Sequence, residues 1–275
     1  MKIKQKTKSG FTLIELLVFI AIIGLLLSIL IPSLSVAKKK VQSVICRSNL
    51  KQWGYVFNMY AYDNNSSFPQ SHPGSTNLTF EQAWILGATL PYYEALNMRA
   101  CPVTKVIDRP PTQYNLGGVF KQWGPFPKNA SWWDSMATGS YGFNEWCADP
   151  DDNFWGLKLE NAIRKTYNKN AYKVPLVGDS AFVDTAPEPH DDPPSNSEHE
   201  EAYSDIYTHS ADLDWHKNAM KFYAMNRHNQ GINMIFVDMH ASYVDIKHLW
   251  QFKWHENFPP ITTINWPTWM ESFPD

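Results

Sequence analysis

The residues best suited by type to bind or react lie far apart in this 275-residue chain. Near the C-terminus, His228 and Asp238 stand with nine residues between them, with His240 just beyond, and Asp179 closes the apolar run from Val174. Imidazole and carboxylate donors suit zinc or a similar ion. His228, Asp238 and His240, with Asp179, are therefore candidate metal ligands. The structural alternative has His228 hydrogen-bonding across a hairpin and Asp238 capping its turn through nearby backbone. Asp149-Pro150-Asp151-Asp152-Asn153 is acidic, but it lacks the glycine and terminal glutamate of a calcium loop at their spacing. It reads as a solvated turn, with calcium binding as the alternative. Cys46, Cys101 and Cys147 include no CxxC pair, so the simplest accounting is one disulfide and one spare thiol. No nucleophile triad order, phosphate loop or paired-carboxylate motif stands out, and no enzyme activity is expected.

One more chemical group is conspicuous by its setting. Glu15 is the only charged residue among the 21 from Phe11 to Ile31, all in an otherwise apolar run. As a helix at ~1.5 Å per residue this run crosses a bilayer core of ~30 Å. Lys2, Lys4, Lys6 and Lys8 precede it with no acidic residue among them, which predicts a cytoplasmic N-terminus and an exported remainder. A cleaved secretory signal would need a shorter core and a small-residue site after it, whereas Gly10 lies before it. A plain anchor explains the length and the lysines but leaves Glu15 without a task, and a carboxylate at membrane depth costs free energy.

Gly10, Phe11 and Thr12-Leu13-Ile14-Glu15-Leu16, behind a lysine-rich leader and ahead of an unbroken apolar helix, resemble the N-terminus of type IV pilins and type II secretion pseudopilins. The resemblance implies cleavage between Gly10 and Phe11 by a prepilin peptidase, methylation of the Phe11 amine, and a role for Glu15 in assembly. Pro32 matches the proline these helices carry near the end of their membrane part. Physically, the freed α-amino group is cationic near neutral pH. A carboxylate from a neighbouring helix pairs well with it in a low-dielectric setting, which fixes the stagger between subunits. Implied partners are other pilin or pseudopilin subunits, the peptidase and methylase, the inner-membrane assembly platform and the membrane itself.

The formal charge is −3, and loss of the leader lysines takes it to about −7. There is no basic stripe to grip nucleic acid. Beyond the membrane segment the cysteines face an oxidising compartment.

Past Pro32, Cys46, Leu50, Trp53, Phe57 and Tyr60 fall at spacings of four and three, an amphipathic stripe. Asp63-Asn64-Asn65-Ser66 should stop the helix. Asn49-Leu50-Lys51-Gln52-Trp53-Gly54, Phe68-Pro69, Cys101-Pro102, Ser140-Tyr141-Gly142-Phe143-Asn144 and the spacing of His228 to Asp238 sharpen the resemblance. They are similar to a pseudopilin-like group best known from planctomycetes, whose C-terminal motif is a histidine, nine residues, then Asp-Gly. Met239 replaces that glycine, and a positive φ would strain it, so another turn type is expected. Membership favours Cys46–Cys101 as the disulfide, with Cys101–Cys147 the competitor.

The remaining elements are a short helix over residues 80–90, a loop from Leu90, a short strand starting at Val119-Phe120 and an aromatic insertion over residues 121–134. A buried strand over 173–180, an exposed acidic loop over 185–201, a modest loop or helix over 212–223 and a hairpin over 232–244 follow. A Trp-rich tail over 247–275 completes the chain. The 12 tryptophans read as core, or as a surface that contacts sugar or protein.

The expected fold is α+β: a long N-terminal pilin helix packed on a mostly antiparallel sheet with long loops. The segments are a leader (1–10), a transmembrane part (11–32), an exposed amphipathic part of the helix (33–63) and a globular extracytoplasmic domain (64–275). The expected function is a structural subunit of a type II secretion or type IV pilus-like fibre, single-pass in a bacterial inner membrane with a periplasmic domain. It needs no cofactor, calcium or zinc being the alternatives. The competing function is a membrane-tethered binding protein with a Trp-rich surface; a membrane-anchored hydrolase using His228 or Asp238 is a third.

Overall fold

The computed structural model describes residues 12–70, 88–93, 96–108, 116–125, 138–150, 157–195 and 218–274. Gly10, Phe11, the helix expected over 80–90 up to residue 87, and Trp132 and Trp133 lie outside them. The fold is α+β, as the hydrophobic periodicities imply. By compactness the chain divides into Met1–Val41 and Gln42–Asp275. One helix, α1 (Leu13–Asp63), belongs to both.

In the first unit every described residue is exposed, including Leu13, Leu17, Leu25, Ile29 and Leu34. A helix apolar on all sides has no single face to bury and is built for lipid or for other helices. This stretch is long and apolar enough to cross a membrane. Pro32 sits inside it; proline brings no N–H for the carbonyl four residues back.

In the second unit α1 changes character. Cys46, Leu50, Trp53, Val56, Phe57 and Ala61 are buried, and Tyr60 is only half-buried. The helix ends where the turn residues begin: Asn65 and Ser66 take positive φ, and the Ser66 N–H returns to the Ala61 carbonyl at 2.7 Å. The buried stripe lies against a five-stranded sheet. Its strands are β1 (Tyr141–Asn144), β2 (Pro175–Asp179), β3 (Asp184–Thr185), β4 (Gly231–Phe236) and β5 (Ala241–Asp245), in spatial order β3-β1-β2-β4-β5. All pairings are antiparallel except β1 with β3.

The strand period of two divides the core. From β4 and the residue after it, Ile235 and Val237 join Trp53, Phe57, Tyr141 and Phe143 beneath the helix. Ile232, Met234 and Phe236 join Trp146, Trp250, Trp254 and Met270 on the opposite face. That opposite layer is built of loops and short 3₁₀ turns, among them Ile246–Gln251 and Thr268–Met270.

Four local expectations change. Leu90–Tyr92 is a 3₁₀ turn. Val119 and Phe120 form a bend, and the residues after them make only isolated bridges, Lys121 to Lys105 and Trp123 to Gly139. Of the acidic stretch expected over 185–201, residues 186–195 are described and much of that part is covered, with Asp191 buried beneath the Trp250 indole that donates to its carbonyl at 2.8 Å. Met239 keeps the positive φ, 67°, that the motif gives to glycine.

Candidate functional site

Asp179 ends β2 and is fully buried on the helix side of the sheet. Three segments converge on it. Arg227 and His228 come from the turn that precedes β4; Asn229 and Gln230, both at positive φ, bend the chain there. Cys46 comes from α1, and Asn233 from β4. Arg227 Nη1 lies 2.9 Å from Asp179 Oδ1. His228 Nε2 lies 3.2 Å from Oδ2, and the Asn233 N–H donates to the same oxygen at 2.9 Å. Cys46 Sγ is 3.5 Å from both carboxylate oxygens.

Arg227 is buried and uses all five of its N–H donors. Besides Asp179 they reach the carbonyls of Val119 (2.7 Å), Ser140 (2.6 Å), Gly118 (2.8 Å) and Ser180 (3.3 Å). One side chain thus satisfies carbonyls from three separate loops. Its charge also lets Asp179 stay ionised without water.

Cys101 completes the cluster. Its N–H donates to Ser140 Oγ at 2.7 Å, and Thr104 Oγ1 donates to its carbonyl at 2.8 Å. Its sulfur lies 3.3 Å from His228 Nε2. Tyr141 holds Cys46, its hydroxyl 3.3 Å from the sulfur. One donor atom from each of Cys46, Cys101, Asp179 and His228 lies within 4.8 Å of the other three. An open cleft lined by Asn49, Ala100, Pro102, Gln122 and Thr138 reaches Cys101.

The titration behaviour follows from these contacts. Burial pushes the Asp179 carboxyl up, but Arg227, His228 and the Asn233 N–H outweigh it and hold the pKa at about 2. Burial pulls His228 down, and Asp179 and Cys101 override it, raising it to about 9. The thiols diverge. Burial, then Cys101 and Asp179, push Cys46 well up. Cys101 is also raised by burial, yet bonds from Cys46 and His228 and the charge of Arg227 bring it to about 7. A thiol, imidazole and carboxylate together suggest a nucleophile triad, but both contacts fall on the same His228 nitrogen. A triad needs the ring to bridge through opposite nitrogens.

The structure separates the ligands expected from sequence. His228 does not hydrogen-bond across the hairpin, and it does not meet Asp238 or His240. β4 holds it at one end and them at the other, roughly 20 Å apart for six extended residues. Asp238 accepts the His240 backbone N–H at 3.1 Å and sits 2.5 Å from His240 Nδ1. That imidazole stacks on Phe236, and the pair is exposed. Asp149 pairs with Arg164 at 3.0 Å. Asp179 was legible as a secondary candidate, and Arg227 was not legible at all. Cys46 and Cys101 carried no metal-ligand spacing.

All three cysteines are free thiols. Cys46 and Cys101, expected as a bonded pair, are adjacent but not joined. Cys147 lies instead near Asn144 and the Pro175 carbonyl. Of the described tryptophans, Trp53, Trp123, Trp146, Trp250 and Trp254 are buried, and each gives its indole N–H to a backbone carbonyl.

At the N-terminus, Glu15 Oε2 accepts from the Thr12 N–H at 2.9 Å and from its hydroxyl at 2.8 Å. Thr12 Oγ1 in turn accepts the Glu15 N–H at 3.3 Å. This is a reciprocal cap at the start of α1.

Comparison with known proteins bears on this end of the chain. Residues 5–31 match the family model described as the prokaryotic N-terminal methylation motif. The chain is 43% identical over 62 residues to the type IV wide pilus major component PilA4 of Thermus thermophilus, covering 22% of this chain and 47% of that protein. It is 34% identical over 71 residues to the type II secretion system core protein G of Aeromonas hydrophila, covering 26% of this chain and 49% of that one. The chain thus spans about half the length of the curated relatives it matches. No solved structure matches it.

Proposed function

We propose that this chain is a structural subunit of a pilus or pseudopilus, anchored by the first part of α1 before assembly. The observation that carries this is the methylation motif at residues 5–31 continuing into a helix that is apolar and exposed on every side. Such a surface is costly in water and is satisfied by lipid first and by sister helices later. In this reading a prepilin peptidase cuts between Gly10 and Phe11, and the Phe11 amine is methylated. The mature protein begins as a single-pass inner-membrane protein with residues 64–275 in the periplasm. An assembly platform then draws it into a fibre. Residues 11–32 serve as the membrane part and 33–63 as its amphipathic continuation. The motifs around Asn49, Cys101 and His228 support a place in the group with a C-terminal His-to-Asp motif.

Glu15 has two states in this scheme. In the isolated chain it closes the Thr12 cap. In the fibre it meets the Phe11 amine of a neighbour, a stronger partner for a carboxylate in a dry setting. Mass spectrometry of the mature protein from its host tests the processing: the expected N-terminal peptide starts at methylated Phe11. A mature chain that retains residues 1–10 refutes it. Glu15→Ala should insert into membrane normally yet enter fibres at least tenfold less well; unchanged fibre incorporation removes the assembly role.

A further inference from the structure

We propose that Cys46, Cys101, His228 and Asp179 form a structural site for a thiophilic divalent cation of the zinc type. The site would tie the buried half of α1 to the sheet. The donor set is two sulfurs, an imidazole nitrogen and a carboxylate oxygen, a combination that suits zinc better than calcium or magnesium. The spacing agrees. Tetrahedral bonds of about 2.0–2.3 Å place donor atoms roughly 3.3–3.8 Å apart. Here Nε2 of His228 is 3.2 Å from the Asp179 carboxylate and 3.3 Å from Cys101 Sγ, and Cys46 Sγ is 3.5 Å from the carboxylate.

The surroundings are those of a ligand shell held from outside. Asp179 is oriented by Arg227 and by the Asn233 N–H, Cys46 by the Tyr141 hydroxyl, and Cys101 through its backbone by Ser140 and Thr104. Charge also closes. Two thiolates and a carboxylate carry three negative charges, matched by a dication and the Arg227 guanidinium, with the imidazole neutral. Binding replaces two S–H bonds and the Nε2–H bond of His228 with two sulfur–metal bonds and one nitrogen–metal bond and releases three protons; no electron moves. The cleft beside Cys101 provides a way in. The donors come from α1, a loop, β2 and the turn before β4, so one ion would cross-link segments up to 182 residues apart. The site lies wholly within residues 42–275 and stands or falls separately from the N-terminal processing.

The test uses the full chain, extracted in detergent under reducing conditions without chelator. Elemental analysis should find one zinc per chain. Cobalt(II) added to metal-stripped protein should produce the visible bands of tetrahedral coordination and a sulfur charge-transfer band. Cys46→Ser and His228→Gln should abolish both signals, Tyr141→Phe should weaken cobalt affinity about tenfold, and Asp238→Asn should leave it unchanged. The proposal is overturned if the reduced wild-type chain binds neither zinc nor cobalt, or if binding survives in Cys46→Ser/Cys101→Ser. It is also overturned if the native chain carries a Cys46–Cys101 disulfide, read as resistance to alkylation until reduction. The wild-type titrations keep the test decisive even where a variant fails to fold.

Discussion

The two ends of β4 hold similar chemistry under opposite conditions. Each has an aspartate beside a histidine: Asp179 with His228 at the start, Asp238 with His240 at the finish. The first pair is sealed beneath α1 and shares a guanidinium with three loops. The second stands in solvent, stacked on Phe236. Distance does not separate them, since the exposed contact is the shorter, 2.5 Å against 3.2 Å. Burial does. A charge removed from water must be matched completely, so the buried cluster carries a large part of the tertiary order. The exposed pair contributes a turn.

The largest test of that contrast is Arg227→Met. It leaves Asp179 with His228 in place of the guanidinium as its counter-charge and strips four carbonyls of their donor. Loss of about 3–5 kcal/mol is expected, on the scale of breaking a buried ion pair. Urea unfolding of the detergent-solubilised chain measures it; a loss below about 1 kcal/mol, as for an exposed pair, would erase the distinction.

A second buried acidic site sharpens the comparison, because here the neighbours do not favour charge. Burial raises Glu145 from 4.5 to about 7, and burial with the charge of Glu145 raises Asp184 beside it. Tyr223 packs close enough to feel both acids. A carboxyl raised on folding favours the protonated fold. The contribution of Glu145 to stability is therefore fullest below about 4.5, falls as pH rises through 7 and levels off above. The melting temperature should drop by at least ~3 °C across that window, and Glu145→Gln should flatten the slope. A melting temperature that rises across the window contradicts the burial argument.

The smallest effect belongs to the exposed end. Asp238→Ala removes one backbone acceptor and one solvent-screened contact, for an expected loss of about 0.5–1 kcal/mol. A cost equal to that of Arg227→Met would mean that exposure is not what separates the two sites.

Gly10 to Ile31, the stripe from Cys46 to Phe57 and the hairpin over 232–244 could all be read from local order. Periodicities of 3.6 and 2 express which side of a helix or strand meets apolar surroundings, and that is written in neighbouring residues. The turn at Asn64 was legible for the same reason. Met239 was misread because turn geometry depends on what surrounds it: its carbonyl takes the Lys51 ammonium, and its side chain packs near Gly54.

The cluster around Asp179 had no such signal. Cys46 and Asp179 are 133 residues apart, Cys101 and His228 127, and Arg227 and Asp179 48. His228, Asp238 and His240 looked like a set because they are close in sequence, and an extended strand is the geometry that drives such residues apart. The sequence alone determined a membrane-capable helix with a processing motif, the sheet-forming runs and the residue types available for binding. Tertiary structure alone decided which of those residues meet, because burial and charge matching act through space and not along the chain.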